Sequence, residues 1–237
     1  MTADAQRVVI VTGASRGIGA GLVAAYRRHG WAVVANARVM DLSRDAYTLA
    51  VAGDVTEPAT CDRIVAEALE RFGRVDTLVN NAGVYLSKPF TDYTAQDYAR
   101  AVALNLTAFF HLTQRVVACM LPRRTGHIVT ITTTLVDRAD SRVPAALTAL
   151  TKGGLAAATR SLAIEYARHG IRVNAVSPGV IRTAEDDPAA YDDLAELHPL
   201  GRVGLISDVV DGVLFLETAP FITGEVLHID GGQIAGS

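Results

Sequence analysis

The stretch Val8-Val9-Ile10-Val11-Thr12-Gly13-Ala14-Ser15-Arg16-Gly17-Ile18-Gly19 decides the reading of this chain. It opens with four β-branched residues, the composition of a buried strand. It ends in glycines spaced Gly-x-x-x-Gly-x-Gly, and a helical pattern follows from Gly17 to His29, with Gly30 as its stop. Gly13 allows a tight turn, Gly17 lets the main chain approach a ligand, and Gly19 lets helix pack on strand. The free N–H groups and dipole of a helix start favour an anion, here a diphosphate. Ser15, Arg16 and Ile18 lie between the glycines and belong to the same cradle. The glycines alone could form a bare turn; the strand before and the helix after favour a ligand.

Outward from this turn, short apolar runs alternate with helix-period segments. Strands are expected at Ala32 to Ala35, Leu49 to Ala52, Thr77 to Val79, Ile128 to Ile131, Val173 to Val176 and Val226 to Ile229. Helices are expected at Pro58 to Phe72, about Ala95 to Met120 with one internal break, Thr151 to His169, and near Ser207 to Thr218. Gly73 and Gly170 are stop signals for two of them. Unbroken apolar strands suit a parallel sheet covered on both faces. The alternation predicts an α/β fold, a doubly wound, Rossmann-type, parallel seven-stranded sheet with helices on both faces. No linker or repeat divides the 237 residues, so 1–237 reads as a single dinucleotide-binding domain. Ligands of such sheets lie beyond the carboxyl ends of the strands, at the switch point.

Composition narrows the partners. The formal charge is −3 with no long basic run, which argues against nucleic acid. No apolar run reaches the roughly 18 residues a membrane span needs, and Met1 to Arg7 lacks a secretory pattern. Cys61 and Cys119, both in helical segments, suit reduced thiols in a cytoplasmic protein. No metal is expected. After the second strand stands Ala35-Asn36-Ala37-Arg38, with no acid until Asp41. A site for NAD(H) usually carries a carboxylate here for the ribose diol. Arg38, helped by Arg16, could instead pair with a 2′-phosphate, so NADP(H) is expected rather than NAD(H).

Several turns together carry a resemblance: the glycine loop, Asp54-Val55, Asn80-Asn81-Ala82-Gly83, Asn105, Lys152, and Ser177-Pro178-Gly179 with Thr183, in this order. Over about residues 7–233 the chain resembles the single-domain branch of the short-chain dehydrogenase/reductase family. The resemblance implies that Asp54 and Val55 border the adenine. It implies that Asn80, Asn81, Ala82 and Gly83 line the cofactor ribose and that Lys152 holds the nicotinamide ribose. Pro178, Gly179, Ile181 and Thr183 would lie along the nicotinamide and phosphates. Asn105 would keep a helix bend and a proton-relaying water.

The family also carries a tyrosine four residues before the lysine, and a serine about thirteen before that tyrosine. This chain has Thr148 at the first place and Thr133 or Thr134 nearest the second. A lysine neighbour can tune a phenol of pKa about 10 towards working pH, but not a threonine hydroxyl. Asn105, Thr133, Thr134, Thr148 and Lys152 therefore form the expected catalytic set, with the threonines polarising a substrate rather than exchanging protons. Tyr85, Asp137, Arg138, Asp140, Glu185, Asp186, Asp187 and His198 are further groups that could face a substrate, and Tyr191 is expected to pack. A substrate lid is expected over about 181–200. Three functions follow: an NADP(H)-dependent reductase of a C=O, C=N or quinone group acting on a small molecule, a non-catalytic cofactor-binding module or partner subunit, and a non-redox lyase, isomerase or cyclase. The family implies a homo-oligomer, tetramer or dimer. Gly153, Gly154 and Ala156 to Ala158 would allow close helix approach, and Gly224 to Gly232 suits a subunit contact.

Overall fold

The computed structural model describes residues 6–41, 45–183 and 191–236. Seven strands form one sheet: β1 (Val8–Thr12), β2 (Ala32–Ala37), β3 (Thr48–Ala52), β4 (Thr77–Asn80), β5 (Gly126–Ile131), β6 (Ile171–Pro178) and β7 (Val226–Ile229). Every pairing is parallel, in the order β3-β2-β1-β4-β5-β6-β7. The order reverses between β1 and β4, so their carboxyl ends frame the switch point.

Side chains of successive strand residues point to opposite faces, and each face has its own core. Val8 and Ile10 join Ile64, Leu112 and Ala163, from helices α2 (Pro58–Phe72), α4 (Ala108–Met120) and α5 (Ala146–Tyr166). Val9 and Val11 join Leu22, Tyr26, Val209 and Val213, from α1 (Gly17–Arg28) and α7 (Ile206–Thr218). Such a side chain contributes about 1.5–3 kcal/mol when fully buried, and both layers are dry enough to leave Val9, Ile10, Leu22 and Ile64 without exposed surface.

Local signals set the ends. Pro58 at the first position and Gly73 in the left-handed region (φ 73°) bound α2 at the limits the sequence predicts. The segment expected as one broken helix is α3 (Ala95–Ala101), a π-helical turn at Val102–Thr107, and α4. Thr94 starts α3 with a capping box, accepting from the Asp97 N–H while the Asp97 carboxylate accepts the Thr94 N–H. The helix expected from Thr151 starts five residues earlier, at Ala146. Threonine is a weak helix former, but Thr151 and Thr159 return their hydroxyls to the carbonyls of Leu147 and Leu155 at 3.0 and 2.9 Å. A short helix, α6 (Tyr191–Ala195), has no counterpart in the sequence reading.

Candidate active site

The loops after β1 and β4 are stitched together. Thr12 Oγ1 accepts the N–H groups of Asn81 and Ala82 at 3.1 and 2.9 Å. The Asn81 amide donates to the carbonyls of Thr12 and Gly13 at 2.9 and 3.2 Å. Gly13 and Gly17 take positive φ, 64° and 53°, which disfavours other residues. A Cβ on Gly19 would stand 2.1 Å from the Gly13 carbonyl oxygen. These glycines thus bring the start of α1 against the end of β1 and leave its first amides facing the switch point. No acidic residue sits in the first turn of α1, so nothing there competes with a bound anion for the dipole. Ser15 and Arg16 are exposed on the loop, and Ile18 is half-buried beneath it. Thr183 reaches the same loop, 3.9 Å from where a Gly17 Cβ would lie.

At the end of β2 the Asn36 amide donates to the carbonyls of Val51 and Gly53, at 2.9 and 3.2 Å. Arg38 follows, exposed. Val55 is buried, while the Asp54 carboxylate folds back on Thr56, accepting its N–H and hydroxyl at 2.9 and 2.8 Å.

Asn105 occupies the π-helical turn. Its side-chain oxygen accepts the Val84 N–H at 2.8 Å, and its amide donates to the Val84 carbonyl and Thr151 Oγ1 at 3.1 and 3.0 Å. The extra residue of a π turn re-aims the helix there and lets Asn105 fix the chain that leaves Gly83. Lys152, on α5, donates to the carbonyls of Thr132 and Ile131 at 3.0 and 3.4 Å. Its Cε passes 3.8 Å from where a Gly83 Cβ would lie. Burial holds its ammonium down to about 8, because desolvation penalises the charged form. The cradle, the Asn80–Gly83 turn, Asn105 and Lys152 thus share one end of the sheet.

The threonines differ from one another. Thr133 is half-buried at the start of a 3₁₀ turn, with only a long contact, 3.5 Å, from the Leu135 N–H. Thr134 is buried and donates to Gln233 Oε1 at 2.9 Å. Thr148 is 1% exposed, and Leu86 takes up its hydroxyl in both directions: it accepts the Leu86 N–H and donates to the Leu86 carbonyl, both at 2.9 Å. Tyr93 Oη donates to the same carbonyl at 3.0 Å, and Ser87 Oγ donates to the Pro144 carbonyl at 3.0 Å. This arrangement corrects the expectation that Thr134 and Thr148 offer their hydroxyls to a substrate. Both are spent on partners far away in sequence. No tyrosine hydroxyl bonds to the Lys152 ammonium among the described residues.

The segment after β6 also differs from expectation. Gly179 packs on His198, whose Nε2 would lie 2.5 Å from a Cβ there. That imidazole is buried; it accepts the Val180 N–H at Nε2 and so donates from Nδ1 to the Leu194 carbonyl, at 3.0 Å each. His198 therefore supports the turn instead of facing a substrate. Ile181 bridges Gly204, and the Tyr191 hydroxyl accepts the Thr183 N–H at 3.0 Å, so Tyr191 packs as expected. Asp137 meets His228, Asp140 binds Arg142, and Arg138 ties the carbonyls of Gln233 and Gly236. Tyr85 is half exposed. Glu185, Asp186 and Asp187, with the middle of the expected lid, lie outside the described residues.

A family model described as enoyl-(acyl carrier protein) reductase matches residues 13–233. The 3-oxoacyl-[acyl-carrier-protein] reductase of Synechocystis sp. is 32% identical over 250 residues, covering 99% of both chains. A solved structure of ElxO with NADP bound superposes with a TM-score of 0.91 at 29% identity, covering 98% of this chain and 100% of that one. The 3-ketoacyl-(acyl-carrier-protein) reductase of Brucella melitensis, complexed with NADH, gives 0.88 at 29% identity, covering 96% and 98%. The chain belongs to the short-chain dehydrogenase/reductase family of oxidoreductases.

Proposed function

We propose that the protein is an NADP(H)-dependent reductase of a small-molecule C=O, C=N or quinone group, working without the family's phenolic acid. The observation that carries the cofactor half is the glycine cradle, where a Cβ on Gly19 would strike the Gly13 carbonyl. Gly13, Gly17 and the first amides of α1 would hold the diphosphate, with Ser15 and Thr183 at its sides. Asn81, Ala82, Gly83 and Lys152 would hold the nicotinamide ribose, and Val55 the adenine. A nicotinamide dinucleotide supplies a hydride there.

The residues at the end of β2 support the phosphorylated cofactor. The Asn36 amide donates to the carbonyls of Val51, in β3, and Gly53, just beyond it; a carboxylate there would set two acceptors against each other. The ribose diol is thus left without its usual acid, and Arg38 with Arg16 would meet a 2′-phosphate.

Within this reading Thr133 donates a hydrogen bond to the substrate's polar atom, and Lys152 positions the ribose and exchanges the proton that a phenol would otherwise carry. A lysine near 8 can do both close to neutral pH. Asn105, Thr134 and Thr148 act as supports. The same proposal includes a homo-oligomer. Phe110 on α4 and Leu150 and Ile164 on α5 are exposed, and Gly154 and Ala157 between them permit close approach.

The test pairs binding with turnover. Titration with each dinucleotide should give tighter binding of NADPH than NADH, and R38A should erase most of that preference, about tenfold or more for one charge-assisted contact of 1.5–3 kcal/mol. A panel of ketones, imines and quinones should then consume reduced cofactor. Binding with no consumption across the panel sinks the reductase half; equal affinities in wild type and R38A sink the 2′-phosphate assignment.

A further inference from the structure

The loop after β5, the segment after α6 and the C-terminal turn meet at a polar cleft of about 140 Å³. Arg138, Asp140 and Arg142 line it from the first, Glu196 and Pro199 from the second, and Gln233 from the third. None of these residues belongs to the glycine cradle, and Lys152 does not reach the cleft.

The charges of the cleft pair unevenly. Arg142 takes both oxygens of Asp140, from Nε and Nη2 at 3.1 and 2.9 Å, and its Nη1 stands 3.9 Å from Glu196. Arg138 is half-buried and forms no ion pair among the described residues. Its Nη1 donates to two main-chain carbonyls, that of Gln233 and, at 2.6 Å, that of Gly236. A guanidinium carries five N–H groups, so the Nε hydrogen and both hydrogens of Nη2 remain. That edge matches a carboxylate through two parallel bonds. A partly buried charge without a counter-ion is costly.

Gln233 adds a second donor that lacks an acceptor. Its side chain lines the cleft although the residue is only 4% exposed. Its Oε1 accepts the Thr134 hydroxyl at 2.9 Å, and its Nε2 makes no hydrogen bond among the described residues. Buried polar groups are ordinarily paired. What both side chains lack is the same thing, an acceptor with negative charge.

We infer that this cleft is a binding site for a small carboxylate, which bridges the Nε–Nη2 edge of Arg138 and the Gln233 amide. One water occupies about 30 Å³ of liquid, so the cleft has room for roughly four non-hydrogen atoms, the size of acetate. The two Nη1 bonds fix the guanidinium plane in advance, which cuts the ordering cost of binding. The inference goes beyond the proposed function. Its readout needs neither cofactor nor turnover, so it can fail while that function stands.

The probe is acetate, with acetamide as its neutral isostere, titrated into the nitrogen-15-labelled protein at constant ionic strength. The Arg138 Nε–H and Gln233 side-chain amide signals, assigned by their loss in Arg138→Lys and Gln233→Glu, should move along one saturable curve with acetate. A dissociation constant of about 1 mM or below is expected for four atoms so well placed. Acetamide should move neither signal. Arg138→Lys keeps the charge and loses the fork; Gln233→Glu replaces a donor by a second anion. Each should weaken acetate binding about tenfold or more, followed on the remaining signal. Absence of a saturable acetate shift at either signal in the unmodified protein, an equal response to acetamide, or wild-type affinity in either folded variant overturns the inference. The comparison of acetate with acetamide decides the matter alone if a variant fails to fold.

Discussion

Replacing Thr148 by valine separates a structural hydroxyl from a catalytic one. The change keeps the buried volume and removes both bonds to Leu86. The Leu86 carbonyl retains Tyr93 Oη at 3.0 Å, so the loss falls on the N–H, which is left without its partner. That costs about 1–3 kcal/mol. For a chain of this length each kcal/mol moves the melting midpoint by about 2–4 °C, so Thr148→Val should melt about 2–12 °C lower. Thr148→Ser, which keeps the hydroxyl, should lose much less. Thermal denaturation followed by circular dichroism gives the midpoints, and a fluorescence titration with NADPH should show affinity within about twofold of wild type, because Lys152 and the cradle are untouched. An unchanged midpoint together with lost turnover would refute the reasoning and return Thr148 to the substrate. The same geometry predicts the outcome of Thr148→Tyr. A ring extending along the hydroxyl's direction runs into the Leu86 main chain, so the variant should be less stable and should not gain ketone reduction.

Two further predictions follow from geometry away from this threonine. Gly19→Ala must push the Gly13 carbonyl out of the cradle; dinucleotide affinity should fall at least tenfold by calorimetry, and retained affinity would mean that the ligand sits elsewhere. At the amino ends of the strands, Glu217 accepts from Tyr26, Thr77 and the Nδ1 of a buried His127, while Asn174 donates to His127 Nε2 at 3.1 Å. The Asn174 amide is oriented by the Glu225 N–H and the Ile222 carbonyl, so His127 must accept and stay neutral; burial also holds its pKa below 6.5. Burial raises Glu217, but the His127, Tyr26 and Thr77 donors bring it below the ordinary 4.5. Groups depressed in the fold contribute stability above their unfolded values and lose it as pH falls. Urea unfolding should therefore weaken from about pH 6.5 downward and again below about 4.5, and His127→Gln should flatten the upper step; an undiminished upper step in that variant would rule out His127 as its source.

The limits of reading this chain from sequence follow the reach of each contact. Pro58 and Gly73 act within α2 and mark its ends, and the glycines of the cradle act within one turn. All were legible because local chemistry decides them. Thr148 was placed at a catalytic position because its spacing from Lys152 is local, yet its hydroxyl is claimed by Leu86, 62 residues earlier. Thr134 is claimed by Gln233, 99 residues later, and His198 by Val180 across a folded turn. Spacing cannot show such claims. The early start of α5 was missed for another reason: Ala145, the residue before it, makes no side-chain cap bond, so no N-terminal signal marks the start. The Glu217–His127 network joins α7 to β5 and leaves no motif at all.

The π-helical turn at Val102–Thr107 also dictates how α3 and α4 are phased. One extra residue in a helix rotates everything beyond it by about 100°, so the inward stripe that begins on α3 is not the stripe that continues on α4. A one-residue deletion inside the turn would restore an unbroken spiral and swing Leu112, Val116 and Met120, now fully buried, out of the sheet. Any graft or chimera joining these helices must count its residues across Asn105 and not along a straight rod.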